Sequence, residues 1–156
     1  AAIDSHLNLP TVHAPRAGLN AQDFAPFKAL NDIAMGMSAH IVFSDIDPDA
    51  PATTSPKMMQ VIRNDIGFDG LLMTDDLSME ALSGTVAERA AAAIRAGCDI
   101  ILHCNGDPDE MHSVAAAAGE MTKQAITRAN RALDQRKPPA NIDIPQLEAE
   151  LKALLG

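Results

Sequence analysis

Short runs of apolar residues alternate with longer amphipathic segments along this chain. Three such runs, at 37–43, 70–74 and 99–103, have Gly or Asp at or near their ends. A strand that is apolar on both faces is typical of a parallel sheet covered by helices, and helices between such strands make β-α units. The pattern therefore predicts an α/β fold with parallel strands.

The segments between the runs carry signals for the start of a helix. Ser55 precedes Pro56, and Thr85 is followed three residues later by Glu88, which is the spacing of a capping box. Helices are predicted at 23–35, 55–66, 85–97, from 107 onward, at 122–135 and at 146–155. Each predicted strand is thus followed by a helix.

Two architectures fit parallel strands that are separated by helices. One is an open, doubly wound sheet, and the other is part of a (β/α)8 barrel. Three predicted strands are too few for a closed barrel, which typically takes about 250 residues. No Gly-rich dinucleotide turn or phosphate loop follows any of the strands. The hydrophobic pattern alone leaves both architectures open.

An excess of acidic residues gives the chain a net charge of −9 at pH 7. Binding to nucleic acid or to an anionic membrane surface needs clustered Lys and Arg, so this charge argues against both partners. No apolar stretch approaches the roughly 18 residues of a membrane span. With only two cysteines, Cys98 and Cys104, a reducing compartment such as the cytoplasm is expected.

In both architectures, functional side chains cluster just beyond the carboxyl ends of the strands. The polar residues at those positions are His40 within the first strand and Ser44–Asp45 after it, then Thr74–Asp75–Asp76, and then His103–Cys104–Asn105. The charges of adjacent carboxylates such as Asp75 and Asp76 repel each other, which is costly. A structural alternative is that one of them caps the following turn while the other faces solvent.

The opening loop carries another candidate, because Asp4 stands two residues before His6. A carboxylate that accepts the ring hydrogen of a histidine fixes its tautomer and raises its basicity, which suits a general acid/base near neutral pH. The alternative is a surface histidine beside an aspartate. His13, His103 and His112 have no such partner in sequence, and His112 is expected to be solvated or satisfied locally.

No metal ion or cofactor is expected. The chain contains no HxxxH, CxxC or His-rich cluster at ligand spacing. Asp45, Asp47 and Asp49 alternate as in a calcium loop, but Ala50 and Pro56 occupy the positions where that loop needs Gly and Glu.

Four sequence blocks follow one another within residues 2–105. AIDSHLNLP carries a D-x-H motif, MSAHIVFSDIDPDAPATTSP follows, IGFDGLLMTDDLSMEAL contains T-D-D-L-S-M, and AGCDIILHCN comes last. Together these blocks resemble bacterial β-N-acetylhexosaminidases of glycoside hydrolase family 3. In that family they carry the acid/base loop, the next strand and loop, the nucleophile strand and the last barrel strand.

The resemblance implies roles for three residues. Asp75 matches the nucleophile, His6 the general acid/base and Asp4 the partner of His6, whereas Asp76 matches a position that varies between Asp and Ala. The reaction implied is retaining hydrolysis through a glycosyl-enzyme on Asp75. The loop of His6 is mobile in the family, which implies that His6 enters the site when substrate is bound.

The resemblance also implies the last β-α units of a TIM-type barrel, incomplete in this chain. Residues 1–20 match the acid/base loop, 21–135 the β-α units and 136–156 a C-terminal tail with a helix. The family's upstream K-H-x-P-G-H-G segment does not occur here, and the chain opens without Met on residues that read like a mid-chain loop.

The substrate implied is a terminal, non-reducing, β-linked N-acetylglucosamine, which in the bacterial family comes from muropeptides of cell-wall recycling in the cytoplasm. Two alternatives remain at this point: a phosphorylase of the same substrates, and a catalytically inactive barrel fragment that acts as a binding module or is a remnant. A phosphoacceptor receiver domain would need an acidic pair at the first strand and a Lys after the last, and the chain has neither.

Overall fold

The computed structural model describes residues 3–156 and contains five short parallel strands. Their bounds are β1 Thr11–Val12, β2 Met35–Met37, β3 Val42–Phe43, β4 Leu71–Asp76 and β5 Ile100–Leu102. β1 pairs with β3, and a second sheet has the strand order β2–β4–β5. The predicted α/β fold with parallel strands is therefore confirmed.

Helices separate most of the strands and follow the last one. They are α1 Arg16–Gly18, α2 Ala25–Ala29, α3 Pro56–Gln60, α4 Val86–Ala96, α5 Pro108–Ala118, α6 Lys123–Asp134 and α7 Ile144–Leu155. π-Helical turns extend α1 over Leu19–Asp23 and α3 over Val61–Asp65, and Ala52–Thr54 forms a 3-10 turn. Within residues 3–156 no helix is both long and apolar enough to cross a membrane.

The predicted helix caps are confirmed. Ser55 Oγ accepts the N–H of Met58 at 3.0 Å at the start of α3. Thr85 and Glu88 form the capping box of α4, in which each side chain accepts the backbone N–H of the other residue. These caps depend on residues three positions apart, so local sequence is enough to predict them.

The prediction of one strand over 37–43 is wrong. The chain leaves β2 after Met37 and enters the other sheet at β3, so residues 38–41 cross from one sheet to the other. Ser38 and His40 lie in this crossing and are buried. Buried polar side chains need hydrogen-bond partners, and the crossing lets both reach Thr53.

Other element boundaries also differ from the predictions. The helix predicted at 23–35 is limited to α2, and the apolar residues Leu30 and Ile33 beyond it are exposed. The predicted loop at 1–20 contains β1 and α1, which are too short to show a periodic pattern, and its residues 1 and 2 lie outside the described part. The terminal helix begins at Ile144 because Asp143 caps it.

The core holds β4 at two points. Leu72 in β4 belongs to a main cluster that also contains Leu19, Phe24, Met58, Met59, Ala93 and Cys98. Leu77, directly after β4, belongs to a second cluster with Leu82, Ala90 and Val114. Both leucines are at least 98% buried, so apolar packing fixes the course of the chain before and after the carboxyl end of β4.

An ionic network that sequence reasoning did not predict lies near the start of β5. The Asp99 side chain is 5% exposed and accepts hydrogen bonds from Arg63 at 2.7 Å and from Arg128 at 3.0 Å. Asp69, whose side chain is 67% exposed, pairs with Arg128 at 2.9 Å and with Arg131 at 3.1 Å. The sequence feature that points to this network is Asp99 itself, an acidic residue directly before an apolar run.

Candidate active site

Asp75 lies at the carboxyl end of β4, the central strand of its sheet. The preceding residue, Thr74, is buried, and its hydroxyl accepts the N–H of Leu102 in β5 at 2.9 Å. Asp75 Oδ1 accepts the N–H of Asp76 at 2.8 Å, and no donor among residues 3–156 bonds to Oδ2. One oxygen of this half-buried carboxylate is thus held and the other is open.

The adjacent carboxylate, Asp76, is engaged by the protein itself. It accepts hydrogen bonds from the Ser78 N–H at 3.0 Å, from the Ser78 hydroxyl and from the Cys104 N–H at 3.1 Å. Burial opposes its ionisation, but these hydrogen bonds outweigh burial and hold the pKa of Asp76 below its ordinary value. Asp76 therefore closes the turn after β4 and ties it to the segment after β5.

Asp4 and His6 form a pair in the opening loop. Asp4 Oδ1 accepts the His6 N–H at 2.9 Å and lies 2.7 Å from His6 Nδ1. The hydrogen bond and then the charge of Asp4 raise the pKa of His6, while the N–H and then the ring of His6 lower the pKa of Asp4. The His6 side chain is 74% exposed, so its other nitrogen, Nε2, is free to meet a ligand.

The loop of His6 is joined to the segment after β4. The N–H of Glu80 donates to the carbonyl of His6 at 3.2 Å. The negative charges of Asp75 and Asp76 also contribute to the raised pKa of His6. The structure thus joins the loop of Asp4 and His6 to the segment that follows Asp75.

Arg89 of α4 holds the loop after β4, and sequence reasoning missed it. Its guanidinium donates to the carbonyls of Leu77 at 2.7 Å and Met79 at 3.2 Å. These bonds satisfy backbone oxygens of an irregular segment and fix its path between Asp75 and Glu80. A basic residue in an Ala-rich helix was the only signal for this role.

The polar residues after β3 have local structural roles. The Ser44 hydroxyl donates to the Val12 carbonyl at 3.2 Å and lies 3.1 Å from His13 Nδ1. Asp45 accepts the N–H of Arg16 at 2.6 Å, which satisfies a free donor at the start of α1. The first contact joins β1 to the segment after β3, the second joins α1 to the same segment, and neither involves Asp75.

The residues after β5 close the connection to α5. His103 Nε2 lies 3.4 Å from Glu110 Oε2, although neither ring nitrogen makes a hydrogen bond. Asn105 accepts the N–H of Asp107, the N-cap of α5, at 3.0 Å. His112 Nδ1 lies 2.6 Å from the Pro108 carbonyl, so the expectation that it is satisfied locally is confirmed.

The described part of the chain contains neither a group of metal ligands nor a disulfide. Among residues 3–156, no three or more His, Cys, Asp or Glu side chains are grouped so that they could hold a metal ion. Neither Cys98 nor Cys104 forms a disulfide. Burial raises the pKa of Cys98 to about 12, which keeps this thiol protonated and unreactive.

The sequence of this chain is similar to those of glycosyl hydrolases. The sequence profile of the Glycosyl hydrolase family 3 N terminal domain matches residues 1–134. A β-hexosaminidase from Shewanella frigidimarina is 39% identical over 109 residues, which make up 67% of this chain and 32% of that protein. These matches include the segments that carry Asp75.

Solved structures give the same assignment. A glycoside hydrolase family 3 β-N-acetylglucosaminidase from Paenibacillus sp. str. FPU-7 aligns with a TM-score of 0.73 at 28% identity, covering 91% of this chain and 31% of that one. NagZ from Neisseria gonorrhoeae in complex with N-trifluoroacetyl-D-glucosamine aligns with a TM-score of 0.71 at 35% identity, covering 83% and 38%.

The fold is therefore that of a parallel α/β domain with Asp75 at a strand end and the Asp4–His6 pair in a loop bonded to the segment after that strand. The chain belongs to glycosyl hydrolase family 3. It spans between 31% and 38% of the length of these three relatives.

Proposed function

We propose that this chain carries the nucleophile and the acid/base of a retaining β-N-acetylglucosaminidase. The observation that carries the proposal is the Asp4–His6 pair, which a backbone hydrogen bond from Glu80 links to the loop that follows Asp75. A carboxylate with one unbonded oxygen can act as a nucleophile, and a histidine of raised pKa can act as a proton donor.

In the first step, the open oxygen of Asp75 attacks the anomeric carbon of the sugar. The bond from that carbon to the glycosidic oxygen breaks, and the leaving oxygen takes a proton from Nε2 of the His6 imidazolium. Nδ1 faces Asp4, so the carboxylate stabilises the cation before transfer and fixes the tautomer afterwards. The product of this step is a glycosyl-enzyme ester on Asp75.

In the second step, water attacks the same carbon and Asp75 leaves. Neutral His6 accepts the proton of that water at Nε2 and becomes an imidazolium again, which restores the starting state. Two displacements at one carbon return the sugar with its original configuration. The roles of Asp75 and His6 thus complete a cycle without any metal ion or cofactor.

The proposed substrate is a terminal, non-reducing, β-linked N-acetylglucosamine. The relatives named β-hexosaminidase and β-N-acetylglucosaminidase, and the N-trifluoroacetyl-D-glucosamine held by the Neisseria protein, support this class of sugar. Muropeptides of cell-wall recycling are the proposed natural source. We place the reaction in the cytoplasm, in keeping with the two free thiols of the described chain.

Phosphorolysis of the same substrates is a second candidate reaction, because the acid/base His6 is an imidazole and not a carboxylate. A carboxylic acid that has lost its proton repels an anionic acceptor, whereas an imidazole does not. Phosphate would then replace water in the second step and produce a sugar 1-phosphate. Turnover that requires inorganic phosphate would support this reaction over hydrolysis.

The stereochemistry of the first product tests the proposed mechanism. When the chain acts on an aryl β-N-acetylglucosaminide, we expect the β-anomer of the free sugar to appear before mutarotation, as followed by proton NMR. Initial release of the α-anomer would contradict a glycosyl-enzyme on Asp75. Binding of the sugar without turnover would instead support the alternative of an inactive binding module.

Replacing Asp4 by asparagine is expected to move the alkaline limb of the pH profile of kcat/KM to lower pH. Asp4 raises the pKa of His6, so the imidazolium that protonates the leaving group persists to higher pH while Asp4 is present. Without the carboxylate, the pKa of His6 falls and the acid is lost earlier as the pH rises. Asp49→Asn, at an exposed residue, is the matched control, and an alkaline limb that does not move in Asp4→Asn would refute this role.

A further inference from the structure

His40 is a buried histidine that the proposed reaction does not use. It lies in the crossing between β2 and β3, and only 1% of its surface is exposed. Its Nδ1 lies 2.8 Å from the Thr53 hydroxyl, and its Nε2 lies 2.9 Å from the backbone carbonyl oxygen of Asp76. The imidazole therefore joins the 3-10 turn at Thr53 to the end of the strand that carries Asp75.

The direction of these hydrogen bonds follows from the groups involved. A carbonyl oxygen can only accept, so His40 Nε2 carries the hydrogen that binds Asp76. The Ser38 hydroxyl donates to Thr53 Oγ1 at 3.0 Å, which leaves the Thr53 hydrogen to bind His40 Nδ1. Ser38 and Thr53 are themselves buried, so the ring is held in one orientation and one tautomer.

The peptide group between Asp76 and Leu77 is held on both sides. His40 donates to its carbonyl oxygen, and its N–H donates to the carbonyl of Leu102 at 3.0 Å. The register between β4 and β5 shifts between Met73 and Asp76, so regular strand pairing does not fix this segment by itself. The bond from His40 supplies a restraint that the sheet lacks at this point.

The orientation of Asp76 determines how Asp75 is presented. The N–H of Asp76 binds Asp75 Oδ1 at 2.8 Å, so a rotation of the Asp76 backbone would move the donor that aims the carboxylate. We infer that His40 is a positioning residue that, through the backbone of Asp76, aligns the Asp75 carboxylate for attack. This inference rests on the proposed function, in which Asp75 is the nucleophile.

The test compares three substitutions of His40 with the unmodified chain. His40→Leu replaces the imidazole by an apolar side chain of similar size that has no donor. His40→Gln keeps an N–H that can reach the Asp76 carbonyl, and His40→Asn carries the same amide on a shorter side chain. We expect kcat on an aryl β-N-acetylglucosaminide to fall by about 10²-fold in His40→Leu, with KM nearly unchanged. His40→Gln should recover most of that loss, and His40→Asn should not.

Each outcome bears on the inference. The inference would be overturned if a folded His40→Leu variant had the kcat of the unmodified chain. It would also be overturned if His40→Gln and His40→Asn, with equal denaturation midpoints, lost equal amounts of kcat. If His40→Leu does not fold, the Gln and Asn variants decide. If the unmodified chain has no turnover, the proposed function fails. The inference is then tested by NMR, through the carboxyl ¹³C resonance of Asp75, which reports the surroundings of that carboxylate. That resonance should shift in His40→Asn and be restored in His40→Gln; an unchanged resonance in His40→Asn would contradict positioning by His40.

Discussion

Asp75→Ala is expected to lower kcat on an aryl β-N-acetylglucosaminide by about 10³- to 10⁶-fold, the range typical when a covalent nucleophile is removed. The alanine variant has no atom that can form the glycosyl-enzyme ester. Because the Oδ2 atom of Asp75 bonds to no donor within residues 3–156, the loss cannot be attributed to breaking a structural bond at that oxygen. Initial rates with a chromogenic substrate measure the effect.

Two further variants separate chemistry from structure in this experiment. Asp75→Asn keeps an oxygen that can accept the Asp76 N–H but has lost the nucleophilic charge, so it should be as inactive as Asp75→Ala. Asp49→Ala makes the same truncation at an exposed carboxylate and should keep the activity of the unmodified chain. Turnover by Asp75→Ala at the unmodified rate would refute its assignment as nucleophile.

Asp99→Ala is expected to lower the free energy of unfolding by about 3–5 kcal/mol. The substitution leaves Arg63 and Arg128 without their shared carboxylate, and the side chains of these two residues are only 17% and 9% exposed. It also removes the acceptor of the Leu72 N–H, which Asp99 Oδ2 binds at 2.9 Å. Since a domain is typically stable by only about 5–15 kcal/mol, urea denaturation should show a much lower midpoint.

Asp69→Ala is the matched control for this prediction. It removes a carboxylate from the same network, but the Asp69 side chain is 67% exposed and its loss leaves Arg128 paired with Asp99. An exposed ion pair contributes about 0–1 kcal/mol, so the midpoint should change little. If Asp69→Ala and Asp99→Ala lowered the free energy of unfolding equally, burial would not explain the contribution of Asp99 to stability.

Features that depend on neighbouring residues were predicted well. The caps at Ser55 and Thr85 need only residues within one helical turn, and the Asp4–His6 pair needs only a spacing of two. The apolar run that ends at Thr74 marks Asp75 and Asp76 together as candidates, and the family resemblance then distinguishes Asp75 from Asp76. The helix predicted from periodicity at 23–35 is too long, because the amphipathic pattern continues past the end of α2 into exposed turns.

Features that depend on distant residues were not predicted. The sequence marks His40 only as a polar residue within a predicted strand, because its partners Thr53 and Asp76 lie 13 and 36 residues away. The carboxylate of Asp99 likewise meets Arg63, 36 residues before it. No local pattern records such pairs, since each forms only when separate elements pack together.

The sequence by itself determined the parallel α/β character and the helix starts, because these follow from periodicity and short spacings. The resemblance of its motifs to those of a known family made Asp75, His6 and Asp4 the candidate site residues. Only the tertiary structure decided that residues 37–43 divide between two sheets, that Asp76 closes a turn and that His40 lies beneath the strand end. The physical reason is the burial of polar groups. Each must find a hydrogen-bond partner, and the fold alone determines which partner is within reach.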